Sequence, residues 1–225
     1  MIPLKDDVPT RSFPIITISI VLVNIFIFIW SRTLSVGSEM ELVHRYALVP
    51  KELLISLASR PDLLPYNVLT IFTSMFLHGG ILHIAGNMLY LWIFGNNVED
   101  ALGHFRFVLF YLLSGLVAAM VQTSIDPGSS IPMIGASGAV SGILGAYLLL
   151  YPRARVKTLI FIFIFITTAE IPAMLLLTIW FLMQILFSRG QGVAWFAHIG
   201  GFIFGLIFIK LFALGLGKRR RHKAE

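Results

Sequence analysis

The 225 residues contain no cysteine, which excludes disulfides, thiolate catalysis and cysteine metal sites. Charge is nearly as scarce. Only 12% of the residues are Asp, Glu, Lys or Arg, whereas soluble domains carry about 25%. A soluble globular domain is thereby excluded. The net charge of +6 could suggest a nucleic-acid partner, but the positive residues form no binding face. Much of the charge lies in the final run Lys218-Arg219-Arg220-Arg221-His222-Lys223, directly after an apolar stretch. That placement describes a cytoplasmic membrane anchor, with the lipid bilayer rather than nucleic acid as the partner.

What the chain has in abundance is apolar sequence, 57% of its residues. The apolar runs are long and do not alternate, which selects membrane-spanning helices over a barrel. The expected class is an all-α polytopic membrane protein with six spans. A short polar N-terminus, 1–12, precedes a membrane domain over 13–214, and a basic tail occupies 215–225. The spans are expected at about 13–30, 81–98, 105–122, 134–151, 171–187 and 193–214, with a long outer loop at 31–67. Within that loop Glu52 to Ser59 reads as a short helix stopped by Arg60-Pro61. The run Thr158 to Phe187 is too long for one upright span, so Thr158 to Ala169 is expected to be an interfacial or re-entrant approach. No signal-peptide cleavage site is evident.

Six spans leave both termini on one side. That side collects 12 of the 17 Lys and Arg residues and the other side 5, so both termini are expected in the cytoplasm. The absence of targeting extensions suggests a bacterial inner membrane.

This topology aligns the unusual polar residues. Spans two, four and six run in the same direction, and each carries its polar residues near its outer end: His83 and Asn87, then Ser137, then His198. Polar groups inside a bilayer are expensive and are usually functional or mutually paired. Ser137 sits in Gly135-Ala136-Ser137-Gly138-Ala139-Val140-Ser141-Gly142, at the mouth of a helix whose first N–H groups have no intrahelical acceptor. Two readings of this stretch stand together. One is a nucleophile beside an oxyanion site. The other is a small-residue packing face, with Gly138 and Gly142 on span four and Gly201 and Gly205 on span six. Close approach of those two helices would bring Ser137 to His198. A serine hydroxyl needs a base within hydrogen-bond reach, and His198 could take its proton and later return it. No Asp or Glu lies at this depth, so the expected pair is a dyad rather than a triad. Candidate oxyanion donors are the Ser137 N–H, the Asn87 amide and the His83 ring; His83 and Asn87 share one helix face.

These residues resemble the rhomboid family of intramembrane serine proteases, over roughly Thr70 to Leu206. The motifs are His83-Ile84-Ala85-Gly86-Asn87, Gly135-Ala136-Ser137-Gly138, and Ala197-His198-Ile199-Gly200-Gly201 with Gly205; Phe94-Gly95-Asn96-Asn97-Val98-Glu99 also looks like the family's end of span two. The resemblance implies a six-helix core, Ser137 as nucleophile, His198 as general base, and His83, Asn87 and the Ser137 N–H around the oxyanion. It implies transmembrane protein substrates, often cut after a small residue, with span five and the Ser188–Ala194 loop as mobile gate and cap. It implies no cofactor and no metal.

The chain departs from the family pattern at three places. Tyr66-Asn67 stands where many members have Trp-Arg. Ser141 stands where some have a tyrosine packed on the catalytic histidine, so His198 must be supported differently. Ala194 replaces a glycine four residues before that histidine. No seventh span is visible, so the minimal form is expected. His44, His104 and His222 have no evident partner, and His78 is expected to be structural. The alternative function is a proteolytically inactive rhomboid-like protein that binds transmembrane segments, which would be expected to lack the serine or the histidine. Other classes fit worse: there is no H-E-x-x-H for zinc, no pair of membrane-embedded Asp residues, and no internal repeat of a transporter.

Overall fold

The structure is a computed structural model that describes residues 1–162, 165–186 and 193–214. Of the expected cap loop Ser188–Ala194, residues 188–192 lie outside the described residues, as does the basic tail from 215 to 225. The elements run β1 (Ile2–Asp6), α1 (Ile15–Arg32), α2 (Val36–Tyr46), α3 (Pro50–Ala58), α4 (Leu64–Thr73), α5 (Ile81–Tyr90), α6 (Asn96–Leu102), α7 (His104–Ile125), α8 (Ser137–Leu150), β2 (Arg155–Ile162), β3 (Phe165–Pro172), α9 (Ala173–Leu186) and α10 (Trp195–Phe212).

Among the described residues three helices are long and apolar enough to cross a bilayer by themselves: α1, α7 and α10. A fourth crossing is available from a bent pair, Pro61–Phe76 and Ile81–Leu102, whose halves meet at 86°. α8 and α9 are apolar and show 14 described residues each, which reach roughly 21 Å of a hydrocarbon core about 30 Å thick. Between α5 and α6 the chain makes a π-helical turn over Leu91–Gly95, so the second expected span is continuous but not regular.

The centre of the bundle is α8, packed between α7 and α10. Small residues set the spacing, because tight van der Waals contact, rather than escape from water, holds helices together in lipid. A Cβ added to Gly201 would overlap the carbonyl oxygen of Gly138, and one added to Gly205 would overlap that of Gly142. From the opposite side, a Cβ on Gly145 would strike the carbonyl oxygen of Phe202. On the α7 side, Gly142 accommodates the Ser114 side chain. Phe94, Phe107, Phe110, Tyr147, Leu144 and Phe202 fill the core around this seam.

At the end of the bundle remote from Ser137, α1 begins at Pro14, which offers no side-chain cap. Glu99 of α6 supplies the missing acceptor. Its carboxylate accepts from the N–H of Ile16 at 3.0 Å, the N–H of Thr17 at 2.8 Å and the Thr17 hydroxyl at 2.7 Å. A buried negative group there also complements the helix dipole. His104, which had no evident partner in the sequence, stands with Nδ1 2.6 Å from the same carboxylate.

The same end carries the largest departure from expectation. Of residues 158–169, those described, 158–162 and 165–169, form neither an interfacial helix nor a re-entrant one. They belong to the antiparallel pair β2–β3, with Leu159 opposite Thr168 and Arg155 opposite Pro172. β1, from the N-terminal stretch expected to be merely polar, adds to β2 in antiparallel fashion. The reason is compositional. Thr158-Leu159-Ile160-Phe161 and Ile166-Thr167-Thr168 are dense in β-branched and aromatic residues, which suit a strand better than a helix. Pro172 then closes the strand, and α9 starts at Ala173 rather than at 171. The all-α expectation is corrected accordingly: among the described residues the fold is mostly helical with one three-stranded sheet. Asp6 ties the sheet to the bundle, accepting from Asn97 Nδ2 at 2.6 Å and from the Tyr147 hydroxyl at 2.5 Å.

Candidate active site

Ser137 is the first residue of α8. The segment that delivers it is pinned in two places. Met133 and Leu48 exchange backbone hydrogen bonds of 2.7 and 3.2 Å, and the Gly135 N–H donates to the Ser74 carbonyl at 2.9 Å. Gly135 has φ +118°, a conformation that glycine adopts at little cost. The turn it makes directs the next residues into the helix, and the Ala136 carbonyl accepts the first intrahelical bond, from Val140 at 2.9 Å. The N–H groups at the start of α8 thus have no acceptor within the helix.

His198 lies on the first turn of α10, across the glycine seam. Its Nε2 is 2.8 Å from the Ser137 hydroxyl oxygen. Its Nδ1 is 2.9 Å from the side-chain oxygen of Gln184 on α9. The ring sits between two indoles, with centroid separations of 6.4 Å to Trp180 and 5.9 Å to Trp195. The turn that carries His198 is itself held by Gln122 of α7, whose side-chain oxygen accepts from the Ala197 N–H at 3.3 Å. Ser141, the residue in the place of the family's tyrosine, turns its hydroxyl to its own helix and donates to the Ser137 carbonyl at 2.7 Å.

His83 and Asn87 approach from α5. A Cβ on Gly135 would stand 2.6 Å from His83 Nε2 and 3.7 Å from Asn87 Nδ2, so both side chains border the backbone two residues before Ser137. The Asn87 amide donates one hydrogen to the His83 carbonyl at 3.1 Å and has a second to offer. Asn87 is buried and His83 exposed. His78 backs the cluster. Its ring meets His83 edge-on at 5.0 Å, and its Nε2 lies 3.5 Å from the Ala136 N–H. Tyr66 and Asn67 brace the outer segments instead: the Tyr66 hydroxyl donates to the Arg45 carbonyl, and Asn67 Nδ2 donates to Glu52 O at 3.4 Å.

Ser137 of α8 and His198 of α10 are thus in hydrogen-bond contact, with Gln184 of α9 on the imidazole's other nitrogen and His83 and Asn87 of α5 beside the Gly135 backbone. A nucleophile, a base within hydrogen-bond reach, an acceptor on the base's other nitrogen and free N–H donors are together what acyl transfer to serine requires. A cavity of about 40 Å³ borders Ser137, lined mainly by small residues that include Gly115, Ala118, Gly138 and Ala197. A larger cavity of about 730 Å³ lies at the sheet end, between β1, Trp92 and the β2–β3 pair, and shares no residue with the serine site.

The family model described as the Rhomboid domain matches residues 65–214, well over half of the chain and every residue of this cluster. The chain belongs to the rhomboid family. It is an integral membrane protein, as that domain and its apolar helices require. Among its relatives are the rhomboid protease GluP of Bacillus subtilis, 34% identical over 148 residues, and the mitochondrial presenilin-associated rhomboid-like protein of Mus musculus, 32% identical over 145 residues. These alignments cover 66% and 60% of this chain, but only 26% and 36% of the respective relatives. The chain thus spans little more than a third of their length at most. The mitochondrial RHOMBOID-like protein 6 of Arabidopsis thaliana is 41% identical over 83 residues, 35% of this chain and 25% of that protein.

Sequence reasoning overlooked Gln184 and Gln122. The signal for both was present: each is an amide inside a strongly apolar helix, where an unsatisfied polar group is costly.

Proposed function

We propose that this rhomboid is an intramembrane serine endopeptidase that hydrolyses a peptide bond in or near the transmembrane segment of membrane-protein substrates. The 2.8 Å approach of His198 Nε2 to the Ser137 hydroxyl carries the reading. In this scheme the Ser137 oxygen attacks the scissile carbonyl carbon while His198 takes the hydroxyl proton. The carbonyl oxygen becomes an oxyanion, received by the Ser137 N–H, the Asn87 amide and the His83 ring. His198 then gives its proton to the leaving amine, and the C–N bond breaks to leave an acyl ester on Ser137. Water, deprotonated by His198, attacks that ester and releases the carboxylate and the free serine. No metal and no cofactor is needed at any step.

Six crossings complete the proposed topology, with α8 and α9 as short spans and both termini cytoplasmic, as in a bacterial inner membrane. The Lys and Arg bias supports that orientation. The shortness of α8 supports a serine set below the outer surface, because irregular backbone at membrane depth is tolerated where it lines a water-filled cavity. The small cavity beside Ser137, lined mainly by glycine, alanine and serine, supports a small residue before the cut.

Labelling of the detergent-solubilised protein with a fluorophosphonate serine probe tests the reading. The wild type is expected to label, and both Ser137→Ala and His198→Ala are expected to lose it while remaining folded. A folded wild type that does not react would instead favour the inactive relative that only binds transmembrane segments.

A further inference from the structure

We propose that Gln184 is the positioning residue of this site, holding His198 in the tautomer that can act as a base. The proposal rests on the protease reading above and adds a third member to the serine–histidine pair.

The amide of Gln184 is fixed at both ends. Its Nε2 donates to the Trp180 carbonyl one turn earlier on α9, at 3.2 Å. That contact commits the nitrogen and turns the side-chain oxygen toward His198 Nδ1, 2.9 Å away. Flipping the amide would set an NH₂ against the imidazole and an oxygen against the Trp180 carbonyl oxygen, which repel. An oxygen facing Nδ1 requires a hydrogen on Nδ1. In the neutral ring Nε2 is then the acceptor, and Nε2 is the atom that meets the Ser137 hydroxyl. The opposite tautomer would leave Nε2 protonated and unable to take the serine proton.

Gln184 is nearly fully buried, and α9 has only one other hydroxyl or amide side chain, Thr178. A buried amide in so apolar a helix is stable only where its hydrogen bonds are made. Neither other candidate support for the ring competes with it. Ser141 bonds its own helix, and the flanking indoles of Trp180 and Trp195 offer faces and edges rather than an acceptor at Nδ1. Among the described residues, the titratable group that acts on His198 is His83 on α5.

The origin of Gln184 has a consequence. Ser137 and His198 are held together by the glycine seam of α8 and α10, but the acceptor for Nδ1 arrives from α9. Displacement of α9 would leave the serine–histidine contact in place and remove the group that selects its productive tautomer.

The test is the rate of fluorophosphonate labelling of the full chain in detergent, followed across pH for wild type, Gln184→Met and Gln184→Glu, with Ser137→Ala as control. Gln184→Met keeps the bulk and removes the acceptor, and is expected to label about 10-fold more slowly, the worth of one neutral hydrogen bond. Gln184→Glu keeps an acceptor and adds charge. A carboxylate at Nδ1 favours the imidazolium, so the acid limb of its rate profile is expected at higher pH than in the wild type. Labelling of Gln184→Met at the wild-type rate would overturn the proposal. So would a Gln184→Glu profile whose acid limb does not move, and that arm decides the matter if Gln184→Met does not fold. Wild-type labelling that survives Ser137→Ala would instead sink the protease reading itself.

Discussion

His83 Nε2 lies 2.6 Å from where a Cβ on Gly135 would stand. Gly135 has φ +118°, in the region that β-carbons make unfavourable. Two separate requirements therefore meet at one residue: a backbone turn that opens the path to Ser137, and room for a candidate oxyanion donor. Gly135→Ala is expected to displace the His83 ring and distort the start of α8, lowering fluorophosphonate labelling by about 100-fold, the usual effect of losing one oxyanion donor. His83→Ala should reproduce the electrostatic part of that loss without the backbone strain. If Gly135→Ala labelled as fast as the wild type, His83 would not be at its post through this contact.

Glu99 is expected to govern stability rather than chemistry. It is fully buried, accepts three hydrogen bonds from the start of α1 and meets His104, all at the far end of the bundle from Ser137. Glu99→Ala would strand those donors without a partner, at a cost of about 3 kcal/mol or more. The check is the thermal midpoint in detergent, expected to fall sharply for Glu99→Ala and less for Glu99→Gln, which retains one acceptor oxygen. Labelling measured per folded molecule, well below the midpoint, should stay near the wild-type value for both.

The candidate site was more legible in the sequence than the frame that carries it. Ser137, His198, His83 and Asn87 stand out because a polar side chain in a long apolar run has few reasons to be there. Gly201 and Gly205 stand out by their spacing, which names a face that can approach another helix. The β2–β3 pair was hidden because an apolar run of Thr, Ile and Phe looks the same by hydropathy whether it is helix or strand; the β-branched content was the overlooked signal. The pairing of β1 with β2 joins residues 150 or more positions apart, and no local pattern encodes it. Gln184 was passed over for a different reason. A carboxylate is the familiar partner of a catalytic histidine, whereas a neutral amide oxygen supplies the same acceptor.

Asp6 should make the docking of the N-terminal strand depend on pH. Burial pushes its carboxyl up to about 6 against the ordinary 3.8; the Tyr147 hydroxyl bonded to it works in the opposite direction, and neighbouring Asp7 adds to the rise. The folded state thus binds a proton between roughly pH 4 and 6 that the unfolded chain has released. The stabilisation from that proton is complete below the unfolded value and is lost as pH rises through the folded one. Unfolding monitored in detergent from pH 4 to 7 should show stability declining across that window. Asp6→Asn, which cannot titrate and still offers an oxygen to Asn97 and Tyr147, should flatten the decline. An equally steep profile in Asp6→Asn would assign the pH dependence to another group.

Two glycines separate packing from mere permissiveness. Gly205 is backed by the Gly142 carbonyl, so a methyl group there has no space unless α8 and α10 part. Gly86, between His83 and Asn87 on α5, has nothing within 4 Å of its would-be Cβ. Helix propensity alone favours alanine over glycine by about 1 kcal/mol at either position. Gly86→Ala should therefore be neutral or slightly stabilising in a detergent melt, with labelling retained. Gly205→Ala should lose stability in spite of its better propensity. It should also slow labelling, because the seam that sets the distance between α8 and α10 is what holds His198 Nε2 2.8 Å from the Ser137 hydroxyl. Equal behaviour of the two variants would mean that the helices adjust around an added methyl group, and that the separation of serine and histidine is fixed elsewhere, with Gln122 and Gln184 the side chains left to hold the first turn of α10.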